Sequence, residues 1–113
     1  KKVKEPIYNL ATHLDHIAPM KSVWETQKYV SSDVTNVIAG SGHVAGVINP
    51  PQRHKYNHHI DGTDFSSAEN WIETANHVDG SWWPHWAEWM KQQSGEMVSP
   101  REPGAGGLEV SDG

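Results

Sequence analysis

"VTNVIAGSGHVAGVINPP" (34–51) decides the fold. Its first six residues form a β-branched, nearly unbroken apolar run, the composition of a strand buried on both faces of a parallel sheet. Glycines then bracket His43, and Pro50-Pro51 ends the segment. A phosphate-cradling loop, a base set at the end of a strand and a simple turn all fit so far. The spacing Gly40-x-Gly42-x-x-x-Gly46 is one residue longer than a dinucleotide fingerprint. The two prolines also cut off the helix that would have to face a pyrophosphate, so a nucleotide site is not expected.

Upstream, "IYNLATHLD" (7–15) reads as a strand, apolar at Ile7, Leu10 and Leu14 and ending in a polar cluster. In "APMKSVWETQKYV" (18–30), Pro19 suits a first helical turn. Met20, Val23, Trp24, Gln27 and Val30 follow helical spacing with one polar interruption. Strand, helix and strand make one βαβ unit, whose strands end along the same sheet edge. Asp15 lies just past the first strand and His43 just past the second. A carboxylate accepting a hydrogen bond from one imidazole nitrogen fixes the tautomer and leaves the other nitrogen free to take a proton. Spacing alone leaves two plainer roles open: Asp15 as a helix cap and His43 as a polar turn residue.

Two strands do not make an independently stable sheet, so neighbouring strands are expected from outside the chain. The opening "KKVK", without an initiator Met, adds to the expectation of a piece of a longer protein. Downstream, "QRHKYNHHIDGTD" (52–64) reads as an exposed polar loop. "SSAENWIETANH" (66–77) reads as a helix with a capping box from Ser66 to Glu69. "SWWPHWAEWMKQQSG" (81–95) reads as a helix with Trp82, Trp86, Trp89 and Met90 on one side, docking its indoles onto a larger body. Residues 96–113, rich in Pro, Gly and Ser, are expected to be a disordered tail.

Composition narrows the chemistry. The net charge is −5 with only nine Lys and Arg, all scattered, which argues against nucleic-acid binding. No apolar stretch approaches the roughly 20 residues of a membrane helix, so no span is expected. Without cysteine there is no disulfide, no thiolate zinc site and no thiol nucleophile in the chain. No G-x-S-x-G elbow occurs, and Ser41 stands too close to His43 to serve as one. His13 and His16, and the loop histidines His54, His58 and His59, lack the packed supporting ligands of a zinc site and are expected to be exposed and uncoordinated. No resident cofactor is expected.

"DHIAPMKSV" (15–23), "AGSGHVAGVINPP" (39–51) and "GSWWPHWAEWMKQQSGE" (80–96) together resemble the C-terminal part of the polyhydroxyalkanoate synthases, the double-Trp-Pro ending looking most like the class I type. The resemblance covers roughly residues 7–97. It implies an α/β fold, the last part of an α/β-hydrolase-like catalytic domain over 1–95: two final parallel strands with their crossover helix, then C-terminal helices and the tail. It further implies an acyltransferase that polymerises (R)-3-hydroxyacyl-CoA into polyester with release of CoA, the thioester serving as substrate. Asp15 and His43 match the family's aspartate and histidine, and the cysteine nucleophile would lie upstream, so this segment alone is expected to be inert. The aspartate would either orient His43 or activate the incoming hydroxyl. The implied partners are 3-hydroxyacyl-CoA, the growing polyester, the upstream part of the same enzyme and a second copy in a homodimer, in the cytoplasm at the polyester-granule surface. Met20 departs from an aromatic frequent in the family. Two alternatives remain: the end of a serine esterase or depolymerase, and a standalone Trp-rich interaction module.

Overall fold

The computed structural model describes residues 3–107. A four-stranded sheet in the order β1-β2-β3-β4 forms its centre. β1 (Ile7–Thr12) and β2 (Val34–Ala39) pair in parallel, from Ile7 opposite Val34 to Thr12 opposite Ala39. α1 (Met20–Trp24) and a 3₁₀ turn (Glu25–Tyr29) connect them. The expected helix over 18–30 is thus real but divided, with the second half wound more tightly.

The sheet then departs from the two-strand expectation. β3 (Asn57–Ile60) pairs antiparallel with β2, and β4 (Asn76–Asp79) antiparallel with β3. The stretch 52–64 is therefore not an exposed loop. It starts within a 3₁₀ turn (Pro51–Arg53) and goes on into a strand, and His58 within that strand is buried. Strand pairing outweighs the polar composition because His58 finds a partner: its Nδ1 lies 3.1 Å from the Gly80 carbonyl. On the opposite face of β3, His59 packs edge-on against His77 at 5.0 Å between ring centroids.

The expected helix over 66–77 is shortened for the same reason. α2 (Ala68–Thr74) stops where residues 76–79 join the sheet as β4. Its cap is Ser67, whose hydroxyl accepts from the Asn70 amide at 3.0 Å. Ser66 instead accepts from the Asn70 side chain, while Glu69 pairs with Lys21 of α1 at 3.0 Å, so no capping box forms. α3 (Trp83–Gln93) follows with Pro84 in its first turn, and Ser81 accepts from the Trp83 amide. Residues 96–107 form neither helix nor strand; 108–113, the rest of the expected tail, lie outside the described residues.

Helices cover both faces. On one, Ala11 and Ile38 of the sheet pack with Met20 and Trp24 of α1 and with Ala68 and Trp71 of α2. Burying a large apolar side chain of this kind stabilises by about 1.5–3 kcal/mol. Asn9 and Asn36 share this face, bonded to each other at 2.9 Å, with Asn36 also donating to Gln27. On the other face Tyr8 lies against Trp82 and Trp89 of the α3 region, and its hydroxyl bonds His85 Nδ1 at 2.8 Å. The indoles are shared between inside and outside: Trp86 and Met90 remain exposed, so α3 does not present one continuous buried side. Among the described residues, β1 has no neighbour on its outer edge.

Candidate active site

Parallel pairing carries both loops of interest to one end of the sheet. The pairing continues past the strands, with His13 N–H donating to the Ala39 carbonyl at 2.9 Å and Leu14 N–H to the Ser41 carbonyl at 2.9 Å. These bonds hold the end of β1 and the end of β2 side by side. Ser41 adopts φ 72°, an unusual left-handed conformation for a residue that is not glycine. Backbone strain of this sort accompanies functional turns more often than ordinary ones.

Gly42–Ile48 then winds into a short helical turn, closed by Gly46 N–H to Gly42 O and Ile48 N–H to Val44 O, 2.9 and 2.8 Å. His43 stands at its start. Gly46 is required by contact: a Cβ there would sit 2.7 Å from Thr12 Cγ2 and 2.9 Å from the Gly42 carbonyl oxygen. The turn therefore lies directly on the end of β1.

That placement brings His43 Nδ1 to 2.7 Å from Asp15 Oδ2. The Asp15 side chain is only 6 % exposed, whereas that of His43 is 45 % exposed. Asp15 Oδ1 accepts from the amides of Ile17 and Ala18, both at 2.8 Å, and Oδ2 also accepts from the Thr12 hydroxyl at 3.2 Å. Burial alone would push this carboxyl up. The Ala18 amide, the His43 ring, the Ile17 amide and Thr12 together override it and hold the carboxyl well below the usual carboxylate range. An ionised carboxylate only accepts, so Nδ1 carries a proton toward Asp15, and in the neutral ring the lone pair is on Nε2. Of the roles the sequence left open for Asp15, the helix cap is not found: Pro19 stands at the N-cap of α1 and no side chain caps it. Asp15 instead ties the loop before α1 and holds the imidazole.

Thr12, Trp82 and Trp83 were not singled out for the site by the sequence. Thr12 bonds the carboxylate, and the two indole N–H groups donate to the carbonyls of Gly46 and Val47 on the His43 turn. No local signal in the sequence links "VINPP" to "SWWP", because the contacts lie about 35 residues apart. Among the described residues no group of three His, Asp or Glu side chains is arranged to hold a metal ion. No helix is long and apolar enough to cross a membrane.

No family model matches the chain. It is 47 % identical over 110 residues to the poly(3-hydroxyalkanoate) polymerase subunit PhaC of Rhizobium etli. It is 46 % identical over 109 residues to the poly(3-hydroxyalkanoate) polymerase of Methylorubrum extorquens, and 34 % over 90 residues to PhaC of Cupriavidus necator. These alignments take in 97 %, 96 % and 80 % of this chain but 17 %, 18 % and 15 % of the relatives. The chain therefore spans under a fifth of the length of the curated relatives that it matches.

Proposed function

The chain matches the C-terminal part of the poly(3-hydroxyalkanoate) polymerases, and we propose that it supplies the base and its orienting carboxylate to an acyl-transfer centre whose cysteine comes from the preceding part of the polymerase. The fold proposed for the whole catalytic domain is of the α/β-hydrolase type, with Asp15 and His43 following its last two parallel strands.

In this reading His43 Nε2 takes the proton of the cysteine thiol. The thiolate attacks the carbonyl of a 3-hydroxyacyl-CoA, the carbon–sulfur bond to CoA breaks, and CoA leaves as its thiol with the proton from His43. His43 then takes the proton of a 3-hydroxyl as that oxygen attacks the enzyme thioester. A new ester bond forms, the carbon–sulfur bond to the cysteine breaks, and the sulfur takes the proton back from His43. The segment by itself contributes no nucleophile and forms no acyl intermediate.

The observation that carries the proposal is the 2.7 Å contact between His43 Nδ1 and a buried carboxylate, with the His43 side chain nearly half exposed. It also favours one role for Asp15. Four donors occupy its two oxygens, so the carboxylate orients His43 rather than activating a substrate hydroxyl. The test is CoA release from 3-hydroxybutyryl-CoA by the polymerase carrying this segment. His43→Ala is expected to lower kcat by at least about 10³-fold. Near-normal turnover in that variant would overturn the assignment.

A further inference from the structure

The His43 turn ends against two prolines, and this leaves an unmet requirement. In a helix that continued, the carbonyls of Gly46 and Val47 would accept from the N–H groups of residues 50 and 51. Both positions are proline and have no N–H to give. The carbonyls are nevertheless partnered. Trp82 Nε1 lies 3.2 Å from each of them, and Trp83 Nε1 lies 2.9 Å from that of Val47. Donors from about 35 residues downstream thus stand in for the two that the backbone lacks.

This clamp connects α3 to the imidazole. Gly46 is buried on Thr12 and closes the turn to Gly42, next to His43, so movement at the far end of the turn is passed to its start. The indoles are themselves held: the Trp83 amide is bound by Ser81, and the Trp82 ring packs on Tyr8 of β1 at 6.0 Å. Trp86, exposed and one turn further along α3, borders the same apolar groove with Val47 and Ile48, yet donates to neither carbonyl.

We propose that Trp82 and Trp83 are positioning residues for His43, their indole N–H groups replacing the donors missing at Pro50 and Pro51 so that α3 sets the aim of the imidazole. The proposal rests on the catalytic reading of His43 given above. A displacement of about 1 Å in a catalytic group can cost up to about 10²-fold in rate.

The experiment measures kcat, KM and thermal midpoint in the polymerase carrying this segment, for Trp83→Phe, the Trp82→Phe/Trp83→Phe double variant and Trp86→Phe. Phenylalanine keeps an aromatic ring and removes the N–H. The expected result is a fall in kcat of about 10-fold or more for Trp83→Phe, greater for the double variant, with KM within about twofold of the parent. Trp86→Phe is expected to keep parental kcat. Parental kcat in Trp83→Phe would overturn the proposal, and so would an equal loss in Trp86→Phe, which would assign the effect to packing. If the double variant fails to fold, the Trp83→Phe single variant decides by the same criteria. Turnover retained by His43→Ala would instead overturn the catalytic reading on which the proposal stands.

Discussion

Asp15 has two oxygens and four donors around them, and this sets how the site should respond to acid. Its carboxyl is held low in the folded chain, so the unfolded chain binds the proton more readily. The stability contributed by these bonds is complete above the unfolded carboxyl range and is lost as pH falls below about 4. Asp15→Asn removes that dependence, and its amide can no longer act purely as an acceptor toward Nδ1. Thermal midpoints between pH 2 and pH 7 are expected to fall less steeply in Asp15→Asn than in the parent. Parallel curves would show that the carboxylate is not held as described. On the proposed function, the same variant is expected to lower turnover of the polymerase carrying this segment, since an amide in place of the carboxylate favours the wrong imidazole tautomer.

At the scale of elements, β3 is the surprise. A strand of sequence Asn-His-His-Ile has little to recommend it in isolation. It survives because His58 bonds Gly80 and lies 6.4 Å from the His85 ring, and because His59 meets His77. Burial lowers the proton affinity of His58 first, with His85, His59 and His77 adding to the effect against a bond to Gly80 that opposes it; His59 is lowered likewise by burial and then by His77. Both rings bind protons more readily when unfolded, so stability is present at neutral pH and declines as pH falls through about 6.5. The expected outcome is a loss of stability between pH 7 and pH 5 that His58→Gln reduces and His58→Gln/His59→Gln reduces further, read from tryptophan fluorescence during unfolding. An unchanged pH dependence in both variants would place the effect elsewhere. This window is separate from that of Asp15, so one titration distinguishes the two.

At the scale of the whole molecule, helices lie on both faces of the sheet, and among the described residues no strand pairs with the outer edge of β1, whose residues Ile7–Leu10 are only half-buried. An unpaired, partly apolar edge is a site for another strand. Joining the segment to the preceding part of the polymerase is expected to slow hydrogen exchange of the β1 amides, measured by mass spectrometry of peptides covering 7–12. Equal exchange in the segment alone and in the polymerase would mean that the edge stays open. The segment alone is expected to associate, and light scattering reads this directly, since Leu14, Ile17, Val44, Ile48 and Trp86 add exposed apolar surface.

The primary structure by itself determined the βαβ unit, because the apolar run 34–39 and the helical spacing after Pro19 are local signals that later contacts reinforced. It also marked Asp15 and His43, because the ends of parallel strands must share an edge. It could not announce β3 and β4, whose polar residues become strand-like only when partners across the sheet bind them. Nor could it show why a glycine-bracketed histidine is followed by two prolines. That was decided in three dimensions: the carbonyls orphaned by Pro50 and Pro51 receive the N–H groups of Trp82 and Trp83. Hydrogen-bond demand is written locally in the chain, but where it is met depends on which distant donors the fold brings within reach.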